Sequence, residues 1–507
     1  MEYRKECDQF INTIQNKYDT IPQYLTDIIS LDNVKAWNSS EIVIISAQCG
    51  KGKSYLIKNY LYQVAKEQNK KILMLLHRKK CIEQFQKEIE LDGKTDFIDI
   101  KSYQYIEWHI LHNSPVDLSE YGYIVNDEFH YWLEDAGFNK TTDISFHAVM
   151  KQSNAVKIFT SATGEHVEDF IRKTYNIDPL EYKIDHHYNF VRHLTVINKD
   201  ETIENLIESN IHNHKKTVVF IQSATKAYNL YNIFHENALF CCSDQCRFHK
   251  HIDKQAINSM LVNQKFEKTV LITTSCLDAG WNLVDENVHD IIIDITDISS
   301  LIQCIGRKRI KSDSDYIDVY IKNITNKKLN GLKANILSQL KMADYLKVHS
   351  TQELIHEFPR QYDKSYIIYD DANNEKKINA LMYYKKQLDI KVIDYMLNLD
   401  KFGYAKYLSQ FFGKQISLMC EDSSIERYLV EHTDIPMKQV KDRKAFLEKM
   451  NVRQDGHLVK GKDTINDVLI NELQLPYRIR EYKGSEMING QQKRYKAIWK
   501  IEKTELL

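Results

Sequence analysis

The hydrophobic positions change period several times along this chain. From Glu41 to Ser46 the sequence Glu-Ile-Val-Ile-Ile-Ser is an unbroken apolar, β-branched run. That is how a strand buried on both faces of a parallel sheet reads. Comparable runs follow at Lys71–Leu76, Phe97–Ile100, Tyr123–Val125 and Val156–Phe159. Between most of them apolar residues recur at helical spacing, as over Tyr55–Glu67 and Lys80–Glu90. The alternation predicts a doubly wound α/β domain over residues 41–172. Residues 1–40 ahead of it read as an amphipathic helical lead-in, with Ile11, Ile14, Tyr18, Tyr24 and Ile28 at helical spacing.

The strand pattern then restarts. Val218–Ile221, Ala238–Cys241, Val270–Thr273, Asp290–Asp294 and Tyr316–Ile321 predict a second α/β domain. With the crossing linker Tyr175–Val196 it occupies residues 173–325. Residues 326–450 show no buried strand runs and are dominated by helical periodicity, as over Ile378–Leu397 and Tyr404–Phe412. Residues 451–507 predict a small α+β unit, winged-helix-like in outline. Its helix is Thr464–Leu473, its strands Tyr477–Arg480 and Lys493–Ile501, and its turn holds Gly484 and the hairpin signal Asn489-Gly490.

Composition narrows little beyond this. Lys and Arg (69) nearly cancel Asp and Glu (70), so bulk charge points to no partner and any polyanion surface must be local. Hydrophobic residues at 43% and charged residues at 27% exclude a disordered chain. The nine cysteines have no paired spacing, and Cys49, Cys276 and Cys304 fall inside candidate nucleotide motifs. A reducing, cytoplasmic setting is expected. The opening MEYRKECDQF lacks a signal peptide's apolar core, and no apolar stretch is long enough to span a membrane.

Directly after the first strand stands Ala47-Gln-Cys-Gly-Lys-Gly-Lys-Ser54, followed by a helical pattern. Strand, Gly-rich loop and helix in this order form a P-loop. Gly50 and Gly52 let the backbone curl so that its N–H groups, with those of Ala47 and Lys51, face phosphates. Lys53 then reaches the β- and γ-phosphates, and Ser54 ligates Mg²⁺. Asn126-Asp127-Glu128-Phe129-His130 ends another strand, where Asp127 suits the metal and Glu128 the general base. Ser161-Ala-Thr163 ends the next. In the second lobe, Thr274 to Asn282 carries Asp278 two residues before Gly280, and Gln303-Cys-Ile-Gly-Arg307-Lys-Arg309 follows.

In this order, from Glu41 to Asn323, these motifs resemble those of superfamily 2 helicases. His130 and the lack of a glutamine motif upstream point to the DExH type, of the sort found in bacteria, phages and mobile elements. The resemblance implies two RecA-like domains, with ATP hydrolysed at the cleft between them. It implies that Ala47 replaces the first P-loop glycine, and that His130, Ser161 and Thr163 couple hydrolysis to domain movement. Asp278 and Gly280 would join the nucleotide site, and Gln303, Arg307 and Arg309 would act on it from the second lobe, an arginine stabilising the transition-state charge. Arg309 stands one place earlier than the family's second arginine. Arg78, Ser102, Gln104, Gln222, Ser223 and Thr274 fall at the family's nucleic-acid-gripping positions, where contacts go to phosphate and sugar.

Two further signals were weighed. The soft ligands of Cys241–His251 lack the paired spacing of structural zinc. The terminal segment interleaves Arg478, Arg480, Lys483, Lys493, Arg494, Lys496 and Lys500 with Tyr477, Tyr482, Tyr495 and Trp499, which suits phosphate contact with base stacking and equally suits a solvated hairpin. The expected function is an ATP- and Mg²⁺-dependent helicase or translocase on nucleic acid, DNA before RNA. The alternative is an ATP-gated binding switch or a motor subunit of a larger complex, with a nuclease or replication factor as protein partner.

Overall fold

In the computed structural model the described residues run from 24 to 503, apart from 49, 135–138, 185–187, 275–281, 311–314, 400–401, 419–423, 451–452, 455–456, 460, 473–474 and 489–490. Two compact units emerge, Met1–His186 with Tyr369–Glu375, and His187–Ile368 with Lys376–Leu507. The lead-in residues Ile11, Ile14 and Tyr18 lie outside the described residues. From Tyr24 onward the lead-in is a single 3₁₀ turn, Leu25–Asp27, and a short helix, Leu31–Ala36, whose N-terminus Ser30 and Asn33 close with a capping box.

The first unit holds six parallel strands: β1 (Ile42–Ser46), β2 (Lys71–Leu76), β3 (Ile98–Ser102), β4 (Tyr121–Asp127), β5 (Val156–Ser161) and β6 (Leu180–Lys183). Their order across the sheet is β3-β2-β4-β5-β1-β6. Alternation along each strand splits the apolar residues between two faces. Val43, Ile45, Ile72, Met74 and Val125 pack with Leu56, Ile57, Leu61 and Val64 of the following helix. On the other face, Phe159 meets Phe129 and Trp132, and Trp132 meets Phe146. Burying both faces is what lets these strands read as continuous apolar runs. β6 corrects the sequence reading, because it lies inside the predicted linker and adds itself beside β1.

The second unit repeats the plan with β7 (Val191–Ile197), β8 (Lys216–Ile221), β9 (Ala238–Cys241), β10 (Val270–Thr273), β11 (Val288–Asp294) and β12 (Ile317–Lys322). β7 also falls within the predicted linker. The next segment is helical at Asn326–Val348, Ala380–Leu399 and Gly403–Phe412, yet it is not strand-free. It carries the hairpin of β13 (Ile368–Asp370) and β14 (Lys376–Ile378), and then β15 (Ile416–Leu418), which joins β7 in parallel. The second sheet therefore runs β15-β7-β12-β11-β8-β10-β9.

A separate core closes the C-terminus. Leu429, Phe446, Ile465, Leu469, Ile479, Trp499 and Ile501 are buried together. Helices Ser424–Glu431 and Val440–Met450 therefore pack with the terminal unit, which starts earlier than residue 451. Beyond the short β16 (Arg453–Gln454) and β17 (His457–Leu458) come the helical segments Lys462–Asp467 and Val468–Glu472. The long strands β18 (Tyr477–Ile488) and β19 (Gln491–Lys503) complete the unit, and Met437 bridges to Trp499 beside them. Helices and an antiparallel hairpin thus form a small α+β unit. Gly484, expected in the turn, sits inside β18 opposite Tyr495 at a register shift. Asn489-Gly490 lies outside the described residues. Among the described residues, no helix is long and apolar enough to cross a membrane.

Candidate functional site

In the first unit the motif-bearing strands β4, β5 and β1 are neighbours, so their carboxyl ends converge. Beyond β1, Gly50 and Gly52 adopt φ of 83° and 91°. That left-handed backbone costs a residue with a Cβ about 1–2 kcal/mol, and it turns the loop toward the helix that starts at Lys53. The loop is held from both sides. The Leu25 N–H donates to the Lys51 carbonyl at 2.9 Å, and the Ala47 N–H donates to the Ser161 carbonyl at 3.0 Å. Ser54 is exposed on the first turn.

Lys53 reaches across to β4, where its Nζ lies 2.9 Å from Glu128 Oε1. Glu128 itself takes φ 50°, an uncommon backbone for a non-glycine residue and one that concentrates at functional sites. Beside it, Asp127 Oδ1 accepts a 2.5 Å hydrogen bond from the Thr160 hydroxyl. The Tyr103 hydroxyl donates to the Asp127 carbonyl at 3.0 Å. His130 Nδ1 is 2.8 Å from Ser161 Oγ and 3.3 Å from Glu128 Oε2, while the Thr163 N–H donates to Ser161 Oγ at 3.0 Å. Lys53, Asp127, Glu128, His130, Ser161 and Thr163 thus form one connected cluster.

Electrostatics divide the two carboxyls. Burial pushes the Asp127 carboxyl up, and the adjacent Glu128 charge pushes it further. Burial also opposes charge on Glu128, but the Lys53 ammonium and the His130 hydrogen bond outweigh it and hold that carboxyl well below its ordinary range. The cluster therefore presents one carboxylate committed to a cation and one whose ionisation its surroundings oppose. The sequence reading missed Thr160, Tyr103 and Leu25, none of which stands out in any periodic pattern.

A buried network extends behind the cluster. Tyr131 stacks on Tyr103 with centroids 4.7 Å apart, and its hydroxyl donates to Glu107 at 3.1 Å. Glu107 also accepts from Ser145 at 2.6 Å and from Asn139 at 2.5 Å. Two of the proposed gripping residues have internal tasks nearby, and a third stands at a helix start. Ser102 accepts from the Tyr105 N–H as a helix N-cap, Gln104 donates to the His77 carbonyl at 3.3 Å, and Arg78 precedes the helix Lys79–Leu91.

The second unit is built similarly. Ser223 caps the helix after β8, and Gln222 Oε1 accepts from the Thr296 N–H at 3.2 Å and its hydroxyl at 2.9 Å. Thr274 is buried at the end of β10, whereas Asp278 and Gly280 lie outside the described residues. Gln303 is buried on the helix Ile298–Gly306, and Arg307 follows as its C-cap, its Nε donating to the Gln303 carbonyl at 3.3 Å. The helix ends there. Lys308 continues as a β-bridge with Leu283 and pairs with Asp315 at 2.9 Å in the interior. Arg309 stands on this extended stretch, bonded to Asn282 and, at 3.2 Å, to the Gly306 carbonyl. Arg309 therefore lies past the end of the helix that Arg307 caps.

Cys242 packs into the second core, and Phe248 stacks on Tyr228 at 4.4 Å. Among the described residues, no group of three or more His, Cys, Asp or Glu is placed to hold a metal ion.

No protein-family model matches the chain, and neither does any curated protein sequence. Solved structures with partial likeness include Dbp5 of S. cerevisiae bound to RNA and ADP BeF3, at TM-score 0.45 and 15% identity, covering 62% of this chain and 86% of that one. The DEAD-box helicase Mss116 bound to ssRNA and UDP-BeF gives TM-score 0.46 and 12% identity, covering 75% and 88%. A DEAD box protein from Methanococcus jannaschii gives 0.35 and 16%, covering 64% and 95%. Likenesses of this depth assign no ligand and no residue role.

Proposed function

We propose that this protein is an ATP-hydrolysing nucleic-acid motor of the superfamily 2, DExH kind, a helicase or translocase with two RecA-like domains. The observation that carries the reading is the Lys53–Glu128 ion pair of 2.9 Å, spanning a glycine loop of positive φ and a strand-end Asp-Glu pair. A lysine held by a carboxylate at the mouth of such a loop is poised to exchange that partner for phosphate oxygens. Released from Lys53, Glu128 is a charged base able to orient and deprotonate water. The hard oxygen donors Ser54 and Asp127 fit Mg²⁺, which when bound would offset phosphate charge. Cation binding would also draw the proton-favouring Asp127 into its ionised form.

Arg307 is taken as the arginine finger in this reading, with Arg309, bonded to Asn282 and Gly306, beside it in sequence. Asp278, Gly280 and Gln303 complete the nucleotide contacts in this reading. His130, Ser161 and Thr163 link the base to the loop that Ala47 shares with Ser161. Arg78, Ser102, Gln104, Gln222, Ser223 and Thr274 mark the strand-gripping surfaces, with DNA preferred over RNA. A reducing, cytoplasmic setting belongs to this reading.

The test is steady-state ATPase activity of wild type and Lys53→Ala, each without nucleic acid and with single-stranded DNA, duplex DNA or RNA. Stimulation by one polymer, abolished in the variant, supports the motor and identifies its track. Turnover indifferent to every polymer moves the reading to the ATP-gated switch or partner-dependent subunit.

A further inference from the structure

The ribbon of β18 and β19 is far longer than the core it closes. Tyr477, Ile479, Trp499 and Ile501 are buried at its base, whereas Lys483, Ser485, Met487 and Gln491–Arg494 are exposed. A two-stranded ribbon without a covered face is marginal in water, so its outer half needs a reason to exist.

The two faces of that half differ in charge. Pairing places Arg480 opposite Lys500, Tyr482 opposite Ile498 and Glu486 opposite Lys493 on one face. Apart from Lys493, which lies over the Tyr495 ring, its charges are paired within the unit. Arg480 pairs with Glu502 at 2.9 Å, Lys500 with Asp434 at 2.9 Å, and Glu486 with Lys438 and the Tyr495 hydroxyl. The other face continues the buried base outward through Lys483, Ser485 and Met487, with Arg494 opposite Ser485. The register shift between Tyr482 and Gly484 adds a residue on β19, and Lys496 sits in that bulge. Among the described residues, Lys483, Arg494 and Lys496 make no ion pair. Among the described residues, the one acid on this face is Glu481, which accepts from the Trp499 indole at 3.0 Å.

Of the unit's helices, the stretch Lys462–Glu472 carries one lysine against Asp463, Asp467 and Glu472 and repels polyanion, whereas Val440–Met450 sets Lys441, Arg443, Lys444 and Lys449 against Asp442 and Glu448 and, like the ribbon, attracts it. Geometry then selects among polyanions. A duplex DNA major groove, about 12 Å wide, admits a two-stranded ribbon, whereas the deep, narrow groove of duplex RNA does not.

We propose that the outer half of this ribbon enters the major groove of duplex DNA, with Lys483, Arg494 and Lys496 on its phosphates. This deepens the motor reading and rests on it. Each neutralised phosphate contributes about 0.9 to the slope of log affinity against log salt. The full-length chain, without nucleotide, is titrated by fluorescence anisotropy with a short DNA duplex and an RNA duplex of the same sequence, across roughly 50–200 mM salt. The variant Lys483→Gln/Arg494→Gln/Lys496→Gln is compared with Lys250→Gln/Lys254→Gln/Lys265→Gln, which removes three exposed lysines elsewhere. The ribbon variant is expected to lose about 2–3 from the DNA slope. It should keep its thermal midpoint, and the control should keep the wild-type slope.

An unchanged slope, an equal loss in both variants, or an equal loss on RNA overturns the proposal. If that happens while single-stranded polymer still stimulates ATPase, the ribbon assignment alone has failed. If wild type binds no polymer and none stimulates turnover, the motor reading has failed with it.

Discussion

Asp127 and Glu128 are adjacent in sequence and buried together, yet their surroundings push them apart. Lys53 and His130 serve Glu128, and Asp127 is left with the Thr160 hydroxyl and an unfavourable neighbour charge. The sign of the linkage follows. A carboxyl raised in the folded state, such as Asp127, costs stability increasingly as pH rises above the ordinary 3.8 and in full above its folded value, whereas a lowered one such as Glu128 contributes stability that is lost as pH falls from the ordinary 4.5 through its folded value. Asp127→Asn should therefore stabilise the nucleotide-free protein at neutral pH while abolishing Mg²⁺-dependent hydrolysis. About 1 kcal/mol corresponds to roughly 2–4 °C in a unit of this size. The gain should vanish in acid, below the ordinary Asp value of 3.8, where wild type is protonated both folded and unfolded. Thermal melts of both proteins across pH 3 to 8 check this; a variant less stable than wild type at neutral pH contradicts the assignment. Lys53, Asp127 and Glu128 were legible in the sequence because strand, loop and acid pair occur in a fixed order. Thr160 and Tyr103 were not, since one hydroxyl on a buried strand or helix leaves no pattern.

At the scale of elements, the strands with long β-branched runs were readable and the sheet edges were not. β6, Leu180–Lys183, has only half-buried or exposed residues, and β15 is three residues long. Edge strands need no apolar run, because one side faces solvent, and only pairing geometry reveals them. The C-terminal α+β unit was visible from its ribbon, but its first helices were not, since their apolar stripe resembles that of the preceding helices. One contact between elements has a sharper consequence. A Cβ on Gly164, just after the Ser161-Ala-Thr163 turn, would lie 2.0 Å from Phe129 Cζ. Phe129 is fully buried between Glu128 and His130 in sequence, so it cannot yield without moving them. Gly164→Ala should cost about 1–3 kcal/mol by overpacking and lower ATPase turnover disproportionately to the stability lost. Adding Phe129→Leu should restore part of both. A variant with wild-type melting and turnover would show that the Phe129 contact transmits nothing to the base.

At the scale of the molecule, the chain is two sheets of the same plan, each with a capping serine after a strand, Ser102 and Ser223, but with different chemistry at the strand ends. The first unit holds Lys53, Asp127 and Glu128; the second holds Gln303 and Arg307. If neither half suffices for turnover, ATP and nucleic acid must influence each other through the whole chain, and that influence is reciprocal. Glu128→Gln, which removes the base, allows both bindings to be measured at equilibrium. In that variant ATP should tighten nucleic acid by the same factor by which nucleic acid tightens ATP, about 5- to 150-fold for couplings of this type. Arg307→Ala added to it should bring both factors toward one while leaving ATP affinity in the absence of polymer nearly intact, because Lys53 and the glycine loop remain. Arg309→Ala should act differently, weakening the Asn282 contact and the second unit's melting more than the coupling. Isothermal titration with ATP and with polymer, each in the presence and absence of the other, decides it. A factor of one in both directions before Arg307 is touched would mean that the nucleotide-binding half and the second half sit in one chain without forming a motor.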